Sequence, residues 1–200
     1  MAAWELTEPI WTERLVLRAY TAADFDPLYA MRSNAEVARY LYWEPQTEAE
    51  VRETLARKMA STSLQGEGDV LALAAEERTS GALVADVILA WASSEHATGE
   101  VGYITHPAHG GQGYATEATR PLLGVAFDGL GLHRVIGRLE ARNTASARVL
   151  EKLGMRREAH LVENEWVKGE WQSELAYAIL DREWRSEASA SDQGYGRTTE

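Results

Sequence analysis

A glycine-rich segment, residues 101–118, is the part of the chain whose residue types and spacing point most directly to chemistry. Its first five residues have strand character, Gly110, Gly111 and Gly113 crowd the following loop, and a helix pattern comes next. Such a loop exposes backbone N–H groups, and the helix N-terminus adds the positive end of its dipole. Because both would face one point in space, the sequence predicts a site for a phosphate group.

Two common phosphate-binding motifs do not fit this loop. The dinucleotide fingerprint needs a third small residue, where Thr116 stands here, and an acid about 20 residues further on, where the chain has His133. The chain has no Gly-Lys-Ser or Gly-Lys-Thr, so a P-loop is excluded. A plain surface turn is the structural alternative, but it does not need the strand–loop–helix setting.

The elements that must position the loop follow from periodicity and capping signals. Strands are predicted at 12–18, 70–77, 83–91, 100–105, 134–140, 157–167 and 173–180, and helices at 21–31, 47–61, 115–126 and 144–153. Pro121 should kink its helix or remove a hydrogen bond. We therefore expect one α/β domain over residues 1–185, with a mixed sheet flanked by helices. Residues 186–200 are polar and aperiodic, which predicts a disordered tail.

Composition restricts the function classes. The formal net charge of −11 argues against a nucleic-acid binder and favours a neutral or cationic partner, although acidity can also serve solubility alone. No segment has the length and apolarity of a membrane span, and the first residues do not form a secretory signal, so a cytoplasmic protein is expected. The chain has no cysteine, and its five histidines lack the spacing of a helical zinc pair; no metal site is expected.

Four segments, in order, resemble one enzyme family. Residues 110–115 (Gly-Gly-Gln-Gly-Tyr-Ala) are similar to the pyrophosphate loop of the GNAT acyl-CoA N-acetyltransferases, although Gly110 stands where Gln or Arg is usual. Residues 12–18, 40–47 and 143–155 resemble the branch that includes the ribosomal-protein alanine N-terminal acetyltransferases. The resemblance covers about residues 10–184. It implies a GNAT (α+β) fold whose central mixed sheet has about seven strands, with its two central parallel strands splayed apart.

The resemblance also implies a cofactor, acetyl-CoA, in the gap between the strands at 100–105 and 134–140. The helix-capping Asn143 would touch the cofactor arm, and a backbone N–H near Ile104 would face the thioester oxygen. The implied cofactor-binding residues are Tyr103, Ile104, Thr105, Gly110, Gly111, Gln112, Gly113, Tyr114, Ala115, Thr116, Asn143 and Ser146.

Acetylation of an amine requires a base, a donor for the developing oxyanion and a partner for the leaving thiolate. The resemblance places Glu100 as the favoured base, with Glu165 as the runner-up that could instead recognise the substrate by charge. Many members of the family carry a Tyr seven residues after the helix-start Asn, but Leu150 occupies that position here. Ser146 is therefore the candidate partner of the sulfur, with Tyr177 as a further possibility.

Three tryptophans, Trp43, Trp166 and Trp171, fall in segments that line the acceptor side in this family and are expected to wall the acceptor pocket. The expected function is transfer of acetyl to a primary amine, first the N-terminal amine of a protein. A small amine such as an aminoglycoside, polyamine or amino-acid derivative is the alternative, and a non-catalytic acyl-CoA-binding module is the rival class. The chain would act as a monomer or homodimer.

Overall fold

The computed structural model describes residues 2–186. The predicted disordered tail therefore lies, apart from its first residue, outside the described residues. The described chain has ten strands and five α-helices up to Leu180, and residues 181–186 are helical as well. The strands are β1 (Trp4–Glu5), β2 (Ile10–Trp11), β3 (Leu15–Arg18), β4 (Ser63–Leu64), β5 (Val70–Glu77), β6 (Leu83–Ser93), β7 (Thr98–Thr105), β8 (Arg134–Glu140), β9 (Arg156–Val167) and β10 (Glu170–Leu180), and the helices are α1 (Phe25–Arg32), α2 (Ala35–Ala38), α3 (Glu48–Ala60), α4 (Tyr114–Gly124) and α5 (Thr144–Lys152).

Eight strands form one mixed sheet in the order β2-β3-β5-β6-β7-β8-β10-β9, and β1 pairs with β4 in a separate ribbon. The expected mixed sheet flanked by helices is confirmed, with one strand more than the seven predicted. The additional edge strand β2 has only two residues, too few to show an alternating pattern in the sequence. Every pairing in the large sheet is antiparallel except that of β7 with β8, which α4 connects.

Local sequence signals explain the element ends. Thr47 caps α3 and forms the predicted capping box with Glu50. Lys168 and Gly169 both have positive φ, 52° and 80°, and make the tight turn between β9 and β10. α4 continues through Pro121, which has no N–H to donate and so removes one helical hydrogen bond, as predicted. The chain then continues as a π-helical turn over Val125–Gly129.

Two hydrophobic clusters cover the two faces of the sheet. The larger lies beneath α4 and α5 and includes Leu122 and Leu150, and the smaller lies beneath α1 and α3 and includes Leu28 and Val51. Strands β5 and β6 contribute buried apolar side chains to both clusters, whereas β7 and β8 contribute theirs to the larger cluster, beneath α4 and α5.

The parallel pair β7–β8 separates partway along its length. Cα partners are Thr98 with Arg134, Gly99 with Val135, and Glu100 with Ile136, and the pairing ends there. Residues of β7 beyond Glu100 remain paired with β6 on their other side, up to Thr105. The predicted splay between the central strands is therefore present, and it opens toward the glycine-rich loop.

Candidate active site

A cleft of about 670 Å³ occupies the opening between β7 and β8. The glycine-rich loop closes one end, the first turns of α5 form one wall, and residues 36–42 form the opposite rim. Twelve cofactor residues were predicted, and eleven of them line this cleft: Tyr103, Ile104, Thr105, Gly110, Gly111, Gly113, Tyr114, Ala115, Thr116, Asn143 and Ser146. The twelfth, Gln112, lies outside the lining, and its carbonyl oxygen accepts a hydrogen bond from Arg14 at 3.1 Å.

The loop conformation depends on two glycines. Gly111 and Gly113 have φ values of 77° and 84°, in the left-handed region that other residues rarely adopt. Gly113 is the N-cap of α4 and brings no side chain to its N-terminal amides. Those amides therefore face the cleft together with the positive end of the helix dipole, as a phosphate site requires.

A clamp from the N-terminal segment holds this loop, and the sequence did not indicate it. The carboxylate of Glu117, in the first turn of α4, accepts hydrogen bonds from Thr12 Oγ1 at 2.6 Å, Arg14 N at 2.7 Å and Arg14 Nε at 2.7 Å. Arg14 also lies over the Tyr114 ring, 4.6 Å from its centroid. Burial alone would raise the pKa of Glu117, but the hydrogen bonds from Thr12 and Arg14 outweigh it and the pKa is lowered.

The start of α5 brings two predicted residues to the cleft. Asn143 caps the helix, its Oδ1 accepting the Ser146 N–H at 3.0 Å. Gly137 of β8 lets α5 approach closely, since a Cβ there would lie 2.8 Å from a Leu150 methyl carbon. The hydroxyl of Tyr103 reaches across from β7 and lies 2.8 Å from both the carbonyl oxygen and Oγ of Ser146.

The two candidate bases belong to one polar network on the side of the sheet away from α5. Both carboxylate oxygens of Glu100 accept hydrogen bonds from Arg138 at 3.1 Å. Arg138 also lies 4.0 Å from the buried Glu174, whose carboxylate accepts the Tyr42 O–H at 3.3 Å. Partial burial of the Tyr42 hydroxyl, followed by its hydrogen bonds to Glu165 and Glu174, raises the pKa of Tyr42. Tyr42, Arg138 and Glu174 were not predicted as site residues; Tyr42 lies in one of the family-like segments.

The predicted acceptor-side tryptophans lie outside the cleft lining. The Arg32 guanidinium lies over the Trp43 ring, with Arg32 Cζ 4.3 Å from the ring centroid. Trp166 and Trp171, paired across the β9–β10 hairpin, meet edge to face at 5.3 Å and are 61% and 58% exposed. Of the three, the last two therefore present a free aromatic surface.

Residues 2–186 hold neither a candidate metal centre nor a membrane-spanning helix. This part of the chain contains no group of three or more His, Asp or Glu side chains arranged to hold a metal ion. It also contains no helix long and apolar enough to cross a membrane.

A phosphate-directed glycine loop beside two splayed parallel strands is the arrangement of an acyl-CoA-type transferase site, and comparison with known proteins agrees. Residues 14–156 match the family model described as the acetyltransferase (GNAT) domain. The chain belongs to the GNAT family and is an acyltransferase.

Relatives cover most of the chain. An uncharacterized N-acetyltransferase of Bacillus subtilis, YnaD, is 30% identical over 175 residues, which are 88% of this chain and 98% of that protein. A GNAT-family acetyltransferase from Bacillus anthracis superimposes with a TM-score of 0.78 and 29% identity, covering 88% and 99% of the two chains.

A third relative has a named acceptor. Spermidine N(1)-acetyltransferase of Vibrio cholerae is 26% identical over 171 residues, 86% of this chain and 95% of that protein. A spermidine N-acetyltransferase structure from Vibrio cholerae, in complex with CoA and spermine, has a TM-score of 0.73 at 23% identity, covering 87% and 99% of the two chains. A neighbour in fold thus binds CoA.

Proposed function

We propose that the chain transfers acetyl from acetyl-CoA to a primary amine, first of all the N-terminal amine of a protein, as in the ribosomal-protein branch that its sequence resembles. The observation that carries this proposal is the continuity of the cleft, which runs from the amide-lined loop through the splay. One cavity is lined both by the glycine-rich loop, where the phosphates would bind, and by residues of β7 and β8 beside the splay, where a pantetheine arm would lie.

The hydrogen-bond donors and basic side chains of the cleft suit an anionic cofactor, although the chain as a whole carries a net negative charge. The amides after Gly113 would hold the diphosphate, and Arg148 and Lys152, which line the cleft near Asn143, would offset the overall negative field. Acetyl-CoA would supply the activated acetyl group as a thioester.

The His106 N–H donates to the Val84 carbonyl oxygen of β6, and the Ile104 N–H, two residues earlier on the same edge, also faces β6. The proposed donor to the oxygen that becomes negatively charged is therefore the neighbouring N–H of Tyr103 or Thr105, on the edge of β7 that no longer pairs with β8.

A base must take a proton from the attacking amine. Glu100 is our first choice because it is the last residue of β7 paired with β8 and so stands where the splay begins. Each of its carboxylate oxygens accepts one hydrogen bond from Arg138 and keeps a further lone pair that could take the proton. Glu165, joined to Tyr42, is the second choice and would otherwise bind the acceptor by charge.

The acceptor side favours a molecule that carries positive charge. Glu100, Glu165 and Glu174 contribute three carboxylates within one network, and the exposed Trp166 and Trp171 lie on the hairpin that carries Glu165. An open, aromatic and acidic surface suits a polypeptide N-terminus. The same carboxylates also favour a small polyamine, which is the second candidate and the acceptor named for the Vibrio cholerae relative.

The test is release of CoA thiol from acetyl-CoA in the presence of peptides with varied N-termini, and separately of polyamines, aminoglycosides and amino-acid derivatives. Turnover with one class of peptide supports the N-terminal acetyltransferase. Turnover with polyamines alone replaces it with the second candidate. CoA binding without turnover on any acceptor favours a non-catalytic acyl-CoA-binding module and contradicts the proposal.

A further inference from the structure

Tyr103 lies on β7 within the splay, three residues beyond the last pairing with β8. Its side chain crosses toward α5, where its hydroxyl lies 2.8 Å from the Ser146 carbonyl oxygen and 2.8 Å from Ser146 Oγ. Both residues line the cleft. A partly buried tyrosine hydroxyl thus meets the serine hydroxyl that the sequence resemblance places near the sulfur.

The two hydroxyls can share their protons in two ways. In one arrangement Tyr103 donates to the Ser146 carbonyl oxygen, and the Ser146 hydroxyl donates to the Tyr103 oxygen. In the other, Tyr103 donates to Ser146 Oγ, which leaves the Ser146 proton free to point into the cleft. Only the second arrangement offers a donor to a negative charge in the cleft, and donation from Tyr103 strengthens that donor.

The residue at the position of the family's usual tyrosine cannot serve here. Leu150 packs its methyl groups against Gly137 and is buried in the core. Tyr103 reaches the start of the same helix from the opposite strand.

We infer that Tyr103 is a positioning residue that turns the Ser146 hydroxyl toward the leaving sulfur of the thioester. The inference rests on the proposed function. In the step concerned the amine nitrogen bonds to the acetyl carbon, and the C–S bond breaks with its electron pair on sulfur. The proton lost by the nitrogen passes through the base and water to the sulfur. Tyr103 and Ser146 keep their own protons and stabilise the thiolate by hydrogen bonding.

The surroundings of Tyr103 favour the protonated hydroxyl. Burial raises the pKa of the Tyr103 hydroxyl, although its hydrogen bond with Ser146 works in the opposite direction. It therefore stays protonated over the whole range in which an amine acetyltransferase would operate, and is always able to donate to Ser146.

The test uses CoA alone and needs no acceptor. The thiol of bound CoA is titrated by the ultraviolet absorbance of its thiolate in wild type, Tyr103→Phe, Ser146→Ala and the double variant. Wild type should lower the thiol pKa by about one to two units relative to free CoA, the effect of one hydrogen bond to a charged group. Each single variant should lose most of that lowering, and the double variant should lose no more than either.

A matched control is Tyr20→Phe, which removes a buried tyrosine hydroxyl bonded to Asp86 at 2.9 Å on the other face of the sheet. It should leave the bound thiol pKa unchanged, and Ser146→Thr, which keeps a hydroxyl, should retain the lowering. A thiol pKa still lowered in Tyr103→Phe, or additive losses in the double variant, would overturn the inference. Binding of CoA to wild type without any lowering of its thiol pKa would overturn it as well, whereas failure of wild type to bind CoA would refute the proposed function itself.

Discussion

Replacement of Glu117 by Gln tests the clamp that holds the glycine loop. Glu117 receives the Thr12 hydroxyl, the Arg14 amide and the Arg14 guanidinium, and Arg14 in turn holds the Gln112 carbonyl oxygen. Glutamine keeps the size of the side chain but removes the charge and turns an NH2 group toward Arg14 or Thr12. The contacts between the first turn of α4 and the N-terminal segment are then weakened, and Arg14 is less firmly placed to hold the Gln112 carbonyl oxygen.

The expected cost follows from burial. The Glu117 side chain is 17% exposed, but that of Arg14 is 42% exposed, so water screens much of the ion pair. We therefore assign most of the lost free energy of unfolding to the hydrogen bonds from Thr12 Oγ1 and Arg14 N, and little of it to the contact with the Arg14 guanidinium. The free energy of unfolding should fall by about 1–2 kcal/mol, which lowers Tm by roughly 2–8 °C. Affinity for CoA should fall about 5- to 10-fold.

Thermal unfolding and isothermal titration with CoA measure both effects. Glu48→Gln is the matched control, since Glu48 pairs with Arg52 on α3 and both side chains are 61% exposed. It should change stability by no more than about 0.5 kcal/mol and leave CoA affinity unchanged. If Glu117→Gln behaves like Glu48→Gln in both assays, the clamp has no role and the reasoning is refuted.

The pH dependence of the clamp has a definite sign. Because the folded-state pKa of Glu117 is lowered, its contribution is present above the unfolded pKa and disappears as pH falls through the folded one. The stability gap between wild type and Glu117→Gln should therefore be largest near neutrality and shrink below about pH 4.

Three other substitutions have defined outcomes. Gly113→Ala should cost roughly 1–2 kcal/mol in thermal unfolding and weaken CoA binding, because φ is 84° at this residue. Lys58→Met should lower the free energy of unfolding in urea by about 3 kcal/mol, since it leaves the buried carboxylate of Asp86 without its 2.7 Å partner. With an amine that the wild-type enzyme acetylates, Glu100→Gln should reduce kcat by at least about 100-fold, whereas Glu165→Gln should mainly raise the KM for that amine.

Each of these has an outcome that contradicts it. Gly66→Ala, at a loop glycine with open space around it, should be nearly neutral, and an equal loss there would show that the Gly113 effect is not local. Retention of full stability in Lys58→Met would mean that Asp86 needs no cation. If kcat falls only in Glu165→Gln, then Glu165 rather than Glu100 is the base.

Elements with strong local signals were predicted well from sequence. The capping box at Thr47 and the cap at Asn143 depend on contacts within four residues, which a linear pattern records. The glycine loop was equally visible, because positive φ at Gly111 and Gly113 requires that residue type. The two-residue strand β2 was missed because so short a segment has no measurable period.

Contacts between distant segments were not visible in the sequence. Arg14 and Glu117 are separated by 103 positions, and Tyr42 and Glu174 by 132. Charged and aromatic residues are too common for such pairings to be read without the fold. Trp166 and Trp171 lie on the surface of the β9–β10 hairpin, outside the cleft lining, and their expected place on the acceptor side stays a prediction.

Thermal unfolding with and without CoA tests the central claim, that the splayed cleft is an acyl-CoA site. A ligand that binds only the folded state stabilises it by about 2.7 kcal/mol at a concentration of 100 times Kd. The account predicts a rise in Tm of roughly 5–10 °C at saturating CoA, reduced in Gly113→Ala. An unchanged Tm at millimolar CoA would contradict it.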